Sequence, residues 1–494
     1  MSLLEFVILL PILGAIAVWL GAPGRITASL TALFNVIVIL ALFKQYSGTA
    51  HEGSELYKMA FVSSHLVLAS PSIHFAVGAD GVSLTLALLT VLVTWAAVWS
   101  TVDKNRLYYI ASLLISAGAL GAFLSTDLFF IYAFHELALI PTFLMIALWG
   151  HGDRKRAAWK ITIYLGTASL ILLAGLLGVV YLCSPDHNYT FDLLKLKPVL
   201  AGSKQAAWVP ANFFTLLLGF GALVSLFPFH SWAAPAYASA PTPVAMLHAG
   251  VLKKFGLYGL VRIALPLFPG AISTPWIQQA LLFMLLGNII VIGLVTIHQQ
   301  NLDELLANSS VMHMGYIFLG LASANPLGVN GAVLLMFAHG ISIALLFLLC
   351  GKLRNQLGTL DMTKLGGLGA NAPILSLCFG IAGFASIGLP GLANFAGEFL
   401  VFLSAFKDFN PTQSLAMLQW TTIISLWGVV ISAVYMLRAY RNVFFGNVNS
   451  GMFISDPGAG QRVPLFLLAA VLLVVGCYPA ILLTPIQAAL AQVH

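Results

Sequence analysis

The chain has 494 residues, 60% of them hydrophobic and only 8% charged, with a formal net charge of +6. That balance, with a mean hydropathy of +0.97, excludes a water-soluble globular fold and specifies a polytopic membrane protein. In such a chain the basic excess reports orientation in the bilayer first, so it gives no argument for a nucleic-acid partner.

A membrane crossing takes about 20 apolar residues. Along the chain, that length predicts helices near 3–20, 27–43, 80–100, 107–124, 126–149, 160–182 and 211–228. Further helices are predicted near 243–266, 275–297, 308–325, 330–351, 374–403, 420–443 and 463–485. The expected fold is all-α, with about fourteen transmembrane helices. The opening MSLLEFVILL has no basic start and no small-residue cleavage site behind it, so the first run is expected to remain a helix. The longest polar stretches, 44–79 and 184–210, read as loops, leaving one membrane domain over 1–494.

Two helices are interrupted by proline and glycine, at GALVSLFPFHSW around Pro228 and at FASIGLPGLANFAGEF around Pro390 and Gly391. Breaks in corresponding positions point to inverted repeats. The spacing divides the domain into N-terminal helices (1–106), a first five-helix repeat (107–266), a second (275–443) and a C-terminal helix (444–494). Broken membrane helices free backbone groups that lipid cannot satisfy, so the breaks are expected to line two hydrated half-channels.

With the N-terminus outside, inner loops hold Arg25, Lys104, Arg106, Arg154, Lys155, Arg156, Lys352, Arg354, Lys364, Arg438, Arg441 and Arg462. Outer loops hold Lys44, Lys58, Lys195, Lys197, Lys204, Arg262 and Lys407. This asymmetry places both termini on the outer side. Cys183, Cys350, Cys378 and Cys477 are scattered without iron–sulfur, zinc or c-type haem spacing, and the histidines do not form the repeated pairs of a haem b site. No cofactor is expected in this chain, and any redox chemistry falls to another.

Ionisable residues inside a membrane are functional candidates by default. Glu136 lies in the fifth span, the adjacent Lys253 and Lys254 in the eighth, and Glu398 beyond the second break. A buried lysine loses protons readily and a nearby carboxylate restores them, which is what a relay needs. His230, His248, His313 and His339 are further possible relays. Adjacent helical positions are about 100° apart, so the two lysines are expected to face different neighbours.

Several ordered motifs between about 75 and 445 carry a family resemblance. VGADGVSLTLALLT, FHELALIPTFLMIALWGH, FPFHSWAAPAYASAPTPVAMLHAGVLKKFGLYGLVR, NLDELLANSSVMHMGYIFLGL, MFAHGISIALLF and ASIGLPGLANFAGEFLV resemble the antiporter-like subunits of respiratory complex I, the proton-pumping NADH:quinone oxidoreductase. Among these subunits the similarity is greatest to subunit M, or chain 4. Multisubunit cation/proton antiporters and the membrane arms of some hydrogenases share much of the pattern. The resemblance implies fourteen helices, with helices 4–8 and 9–13 as inverted repeats, helices 7 and 12 broken, and a central proton-carrying row. In that row it matches Glu136, Lys254 and Glu398.

It also implies partner subunits that hold NADH, FMN, iron–sulfur clusters and quinone, neighbouring antiporter-like subunits in the membrane arm, and a bacterial inner (plasma) membrane. One departure concerns helix 7. The family's lysine is Leu223 here, a usual proline is Ser225, and the usual W-L-P-D-A-H reads WAAPAY with Pro235 and Tyr237. Lys253 matches no family position and is the cation available on the next helix to replace the missing one. The competing function is an ion-gradient-driven cation/proton antiporter subunit. A carrier for organic solutes fits less well, because the charged residues are few and nothing suggests an anionic or sugar pocket.

Overall fold

The computed structural model describes residues 2–46, 57–102, 104–184, 188–200, 202–407, 409–410, 414–447 and 454–491. The first six helices are α1 (Leu3–Trp19), α2 (Gly24–Tyr46), α3 (Gly81–Trp99), α4 (Arg106–Leu124), α5 (Leu128–Trp149) and α6 (Arg154–Cys183). The first broken helix comprises α7 (Val209–Val224) and α8 (Ala233–Ser239). Then follow α9 (Thr242–Leu267), α10 (Pro275–His298), α11 (Leu302–Ala322) and α12 (Pro326–Leu357). The second broken helix comprises α13 (Pro373–Ile387) and α14 (Ala393–Ser404), and the chain closes with α15 (Met417–Phe444), α16 (Ala459–Cys477) and α17 (Ala480–Leu490).

Among the described residues, twelve helices are long and apolar enough to cross a membrane. The 17-residue α1 and the interrupted α13/α14 pair supply the other two crossings of the fourteen expected. Polar residues at the apolar boundaries start several helices: Asp80 caps α3, Asp127 caps α5 and Asn301 caps α11, each accepting backbone N–H groups of the first turn. The apolar stretches of α3, α9, α11 and α12 are buried, whereas α5, α6, α15 and α16 expose Leu, Ile, Phe and Trp on their outer faces. Those faces suit lipid or a neighbouring subunit, and the centre of the bundle is shielded from both.

Both breaks open with the same left-handed cap. At the first, Ser225 is left-handed (φ 68), its N–H donates to Ala222 O and the Leu226 N–H reaches back to Gly221 O. At the second, Gly388 (φ 84) donates to Ala385 O and the Leu389 N–H reaches Phe384 O. Each is a left-handed cap that satisfies two of the carbonyls the break would orphan. Two further groups of the first break are held by Asn288 of α10. Its Oδ1 accepts from Phe227 N–H at 2.7 Å, and its Nδ2 donates to Ser225 O and Val311 O at 3.1 and 2.8 Å.

Three expectations need correction. The 44–79 loop contains an antiparallel hairpin, β1 (Ala60–Leu68) with β2 (Ile73–Ala79), docked on the bundle by a hydrogen bond from His74 N–H to Asp127. The last predicted span divides at Tyr478–Pro479, where proline cannot continue the α16 ladder, and α17 folds back against α3 and α12. Arg262 is not in an outer loop: a π-helical turn over Leu260–Ala264 carries α9 past it, and it is buried in an ion pair with Asp80.

Candidate functional site

The lysine doublet sits mid-way along α9, directly after a π-helical turn at His248–Leu252. Such turns are rare and recur at functional sites. Both lysines are buried, at 1% and 0% exposure, so neither snorkels to the headgroups. Lys254 Nζ donates to the Ala249 carbonyl of its own helix at 2.9 Å. Lys253 Nζ leaves the helix, donating to Ser310 Oγ of α11 at 3.4 Å, and lies 5.6 Å from the Tyr237 ring of α8.

From Ser310 the polar contacts continue into α12. Ser310 Oγ is 3.2 Å from His339 Nε2, and the His339 ring stacks on His313 with centroids 5.1 Å apart. His313 faces two carbonyls, Ser309 O at 2.8 Å from Nδ1 and Ser386 O at 2.7 Å from Nε2. A carbonyl only accepts, so both bonds form fully only when both ring nitrogens carry protons.

Ser386 lies two residues before Gly388, and Glu398 Oε2 rests against Gly388. A side chain there would strike the carboxylate as well as strain a left-handed backbone. Glu398 is 4% exposed, its Oε1 has no protein partner, and Tyr316 and Tyr435 are its titratable neighbours. Tyr435 OH is 2.8 Å from Ser309 Oγ. Hydroxyl groups, with no direct bond, thus stand between His313 and Glu398.

On the other flank, Glu136 is 35% exposed at the lateral surface, accepting from Ser169 of α6 and lying 3.4 Å from His135 Nδ1. The neighbouring His135 is the residue that reaches inward, 4% exposed and stacked on Phe255 at 4.1 Å. Glu136 and Lys254 are therefore not brought into contact; His135 and Phe255 link their helices. His248 joins the row through Nδ1, 3.1 Å from Tyr237 OH. His230 sits at the first break, half-buried and stacked on Phe227, with Lys253 among its charged neighbours.

At the face bearing Arg154, Arg156 and Arg354, a cavity of about 1010 Å³ opens between the α5–α6 turn, α8 and the ends of α11 and α12. Ala238 and Ser239 of α8 line it, while the adjacent Tyr237 reaches His248. Burial first, then the charges of Arg354, Lys104 and Arg154, hold the His151 imidazole on its wall below the usual range, so it stays neutral near pH 7. Among the described residues no group of three or more His, Cys, Asp or Glu is placed to hold a metal ion.

Residues 125–438 match the family described as NADH:quinone oxidoreductase/Mrp antiporter, TM. The chain belongs to this family. It is 33% identical to NADH-quinone oxidoreductase subunit M of Pseudomonas aeruginosa over 97% of this chain and 94% of that one. It is also similar to a chain in the structure of respiratory complex I from Thermus thermophilus with bound NADH. There the identity is 29% over 99% of this chain and 100% of that one, with a TM-score of 0.86. A chain of the Mrp complex from Dietzia sp. DQ12-45-1b shares the fold at 19% identity, covering 99% and 97% of the two chains with a TM-score of 0.83.

Against the family pattern, the helix-7 departures acquire a structural meaning. Proline holds φ near −65°, so it cannot occupy the left-handed backbone that Ser225 adopts. Leu223, in the last turn of α7, is buried among apolar neighbours. Tyr237 supplies a hydroxyl that bonds His248 where the family pattern has histidine.

Proposed function

We propose that this chain is the subunit M (chain 4) component of a proton-pumping NADH:quinone oxidoreductase, carrying protons through Glu136, Lys254 and Glu398. The observation that supports it most is the buried row on α9, α11 and α12: two buried lysines, Ser310, and the stacked His339 and His313 ending at the break beside Glu398. Each intramembrane charge costs about 2.5–3.5 kcal/mol on insertion scales, so an adjacent pair of buried lysines is not kept for stability. Adjacent ammonium groups repel, and a carboxylate brought near one favours loading it, so charge movement at one end can load or expel a proton at the other.

NADH, FMN, iron–sulfur clusters and quinone are assigned to partner subunits, and this chain moves the protons. Other membrane-arm subunits, antiporter-like ones among them, dock on its apolar lateral faces, where Glu136 emerges between α5 and α6. The basic face lies inward and both termini outward in a bacterial inner membrane. The near full-length likeness to a subunit M favours this function over a cation/proton antiporter subunit, because the fold is common to both.

The test is Lys254→Ala in the reconstituted complex. Fewer protons moved per quinone reduced is expected; unchanged stoichiometry removes Lys254 from the path. Glu136→Gln without effect would show that the first half-channel is not used.

A further inference from the structure

We propose that Lys253 is a second titrating proton carrier, working through Ser310. This rests on the function proposed above and adds a residue and a route to it. Lys253 is fully buried, and among the described residues its Nζ makes no ion pair with a carboxylate. It lies between an aromatic ring face and a hydroxyl that it donates to. On one side is Tyr237 of α8, bonded to His248, with Ala238 and Ser239 of the same helix lining the 1010 Å³ cavity. On the other side is Ser310 of α11, bonded to His339 of α12.

With His339 as the Nδ1–H tautomer, the hydrogen bonds carry a proton from Lys253 toward His339. Ser310 Oγ accepts from the Lys253 ammonium, which leaves its own O–H free to donate to His339 Nε2. In one relay step an N–H bond of Lys253 breaks, an O–H bond forms at Ser310, the original Ser310 O–H breaks, and an N–H bond forms on His339. Lys253 becomes a neutral amine, His339 an imidazolium, and Ser310 is unchanged, so one proton has moved and no other reactant is needed. His313 stacks on the His339 ring, with its own two nitrogens on the Ser309 and Ser386 carbonyls. Lys253 is reloaded from the side of α8, where its Nζ faces the Tyr237 ring and Ala238 and Ser239 line the cavity. Lys254, whose Nζ is held by the Ala249 carbonyl, has no such bond to Ser310. Besides Tyr237, His248 and Lys254, the titratable groups around the doublet are His230, His135, His313 and His339.

The experiment measures protons moved per NADH oxidised, and assembly on native gels, for the whole complex carrying Lys253→Leu, Lys253→Arg, Ser310→Ala or Lys254→Ala. Lys253→Leu and Ser310→Ala should each assemble and slow coupled turnover by about 10²-fold, the order contributed by a positioned acid–base group. Lys253→Arg should not rescue, because arginine keeps its charge and does not release a proton. Normal pumping by Lys253→Leu, or rescue by Lys253→Arg, overturns the proposal; in the second case Lys253 is only a fixed charge. Normal pumping by Lys254→Ala alone would instead count against the function proposed above. If Lys253→Leu does not assemble, Ser310→Ala decides, since it leaves the charge in place.

Discussion

Gly250 of α9 and Gly340 of α12 meet backbone to backbone. A Cβ on Gly340 would come within 2.6 Å of the Gly250 carbonyl oxygen, and one on Gly250 within 2.9 Å of the Gly340 carbonyl oxygen. Without side chains at this crossing the two helices approach closely, which brings His339, next to Gly340, within reach of Ser310 and the lysine doublet. Gly340→Ala must push the helices apart at a cost of about 1–3 kcal/mol, and the Lys253–Ser310–His339 contacts lengthen with them. The expected outcome is a lower thermal midpoint and weaker pumping. Gly166→Ala on α6, where nothing lies within 4 Å of the added Cβ, should change neither.

The Arg262–Asp80 pair, with side chains 3% and 2% exposed, pins the end of α9 to the start of α3. Breaking such a pair by removing one partner costs about 3–5 kcal/mol, because the other charge stays buried alone. Arg262→Met should therefore lower the unfolding midpoint of the complex strongly. Asp80→Asn/Arg262→Met keeps an acceptor for the Val82 and Ser83 N–H groups at the α3 cap and removes both charges, so it should recover most of the loss. A double variant no more stable than Arg262→Met would mean the arginine acts through packing alone.

The fourteen crossings were legible because each is a long apolar run, and the two breaks because proline and glycine interrupt such runs at matching distances. Glu136, Lys254 and Glu398 stood out as charges where the bilayer tolerates few. Ser310 and Asn288 carried no such signal: serine and asparagine are ordinary in membrane helices, and only the neighbour brought by the fold gives them a role. Arg262 was misplaced although the 243–266 span contains it: a charge near the end of an apolar run was counted with the outer loop, whereas α9 runs on to Leu267 and Asp80 pairs with the arginine inside the bundle. The split at Pro479 could have been read from the proline, but the apolar residues on either side of it masked the end of the helix. His135 was visible beside Glu136, yet which of two adjacent residues faces inward depends on helix rotation, which the sequence alone does not set.

Asn288 holds the Phe227 N–H and the Ser225 carbonyl at the first break and adds a bond to the Val311 carbonyl of α11. Leaving a buried polar group unsatisfied costs about 1–3 kcal/mol. Asn288→Leu should destabilise the assembled protein by at least one such loss and speed hydrogen exchange at the Phe227 amide. Exchange at the second break, around Leu389, should stay at the wild-type rate, because nothing from Asn288 reaches it. Equal acceleration at both breaks would mean that α10 holds the bundle as a whole.

Restoring the family's proline at position 225 tests whether the first break can take the usual backbone. Ser225 has φ 68 and its N–H donates to Ala222 O, so proline is excluded twice, by its ring geometry and by its missing donor. Ser225→Pro should cost about 3 kcal/mol or more, the range for proline in an incompatible helical position, and the variant should assemble poorly. Ser225→Gly should assemble normally, because glycine occupies the left-handed region without strain and Gly388 already does so at the second break. Leu223→Lys is different in kind: it leaves the backbone alone and adds a cation in the last turn of α7, so assembly should survive. If Ser225→Pro assembles and pumps like the parent, the first break has a second accessible backbone, and the left-handed cap at Ser225 is not what keeps helix 7 open.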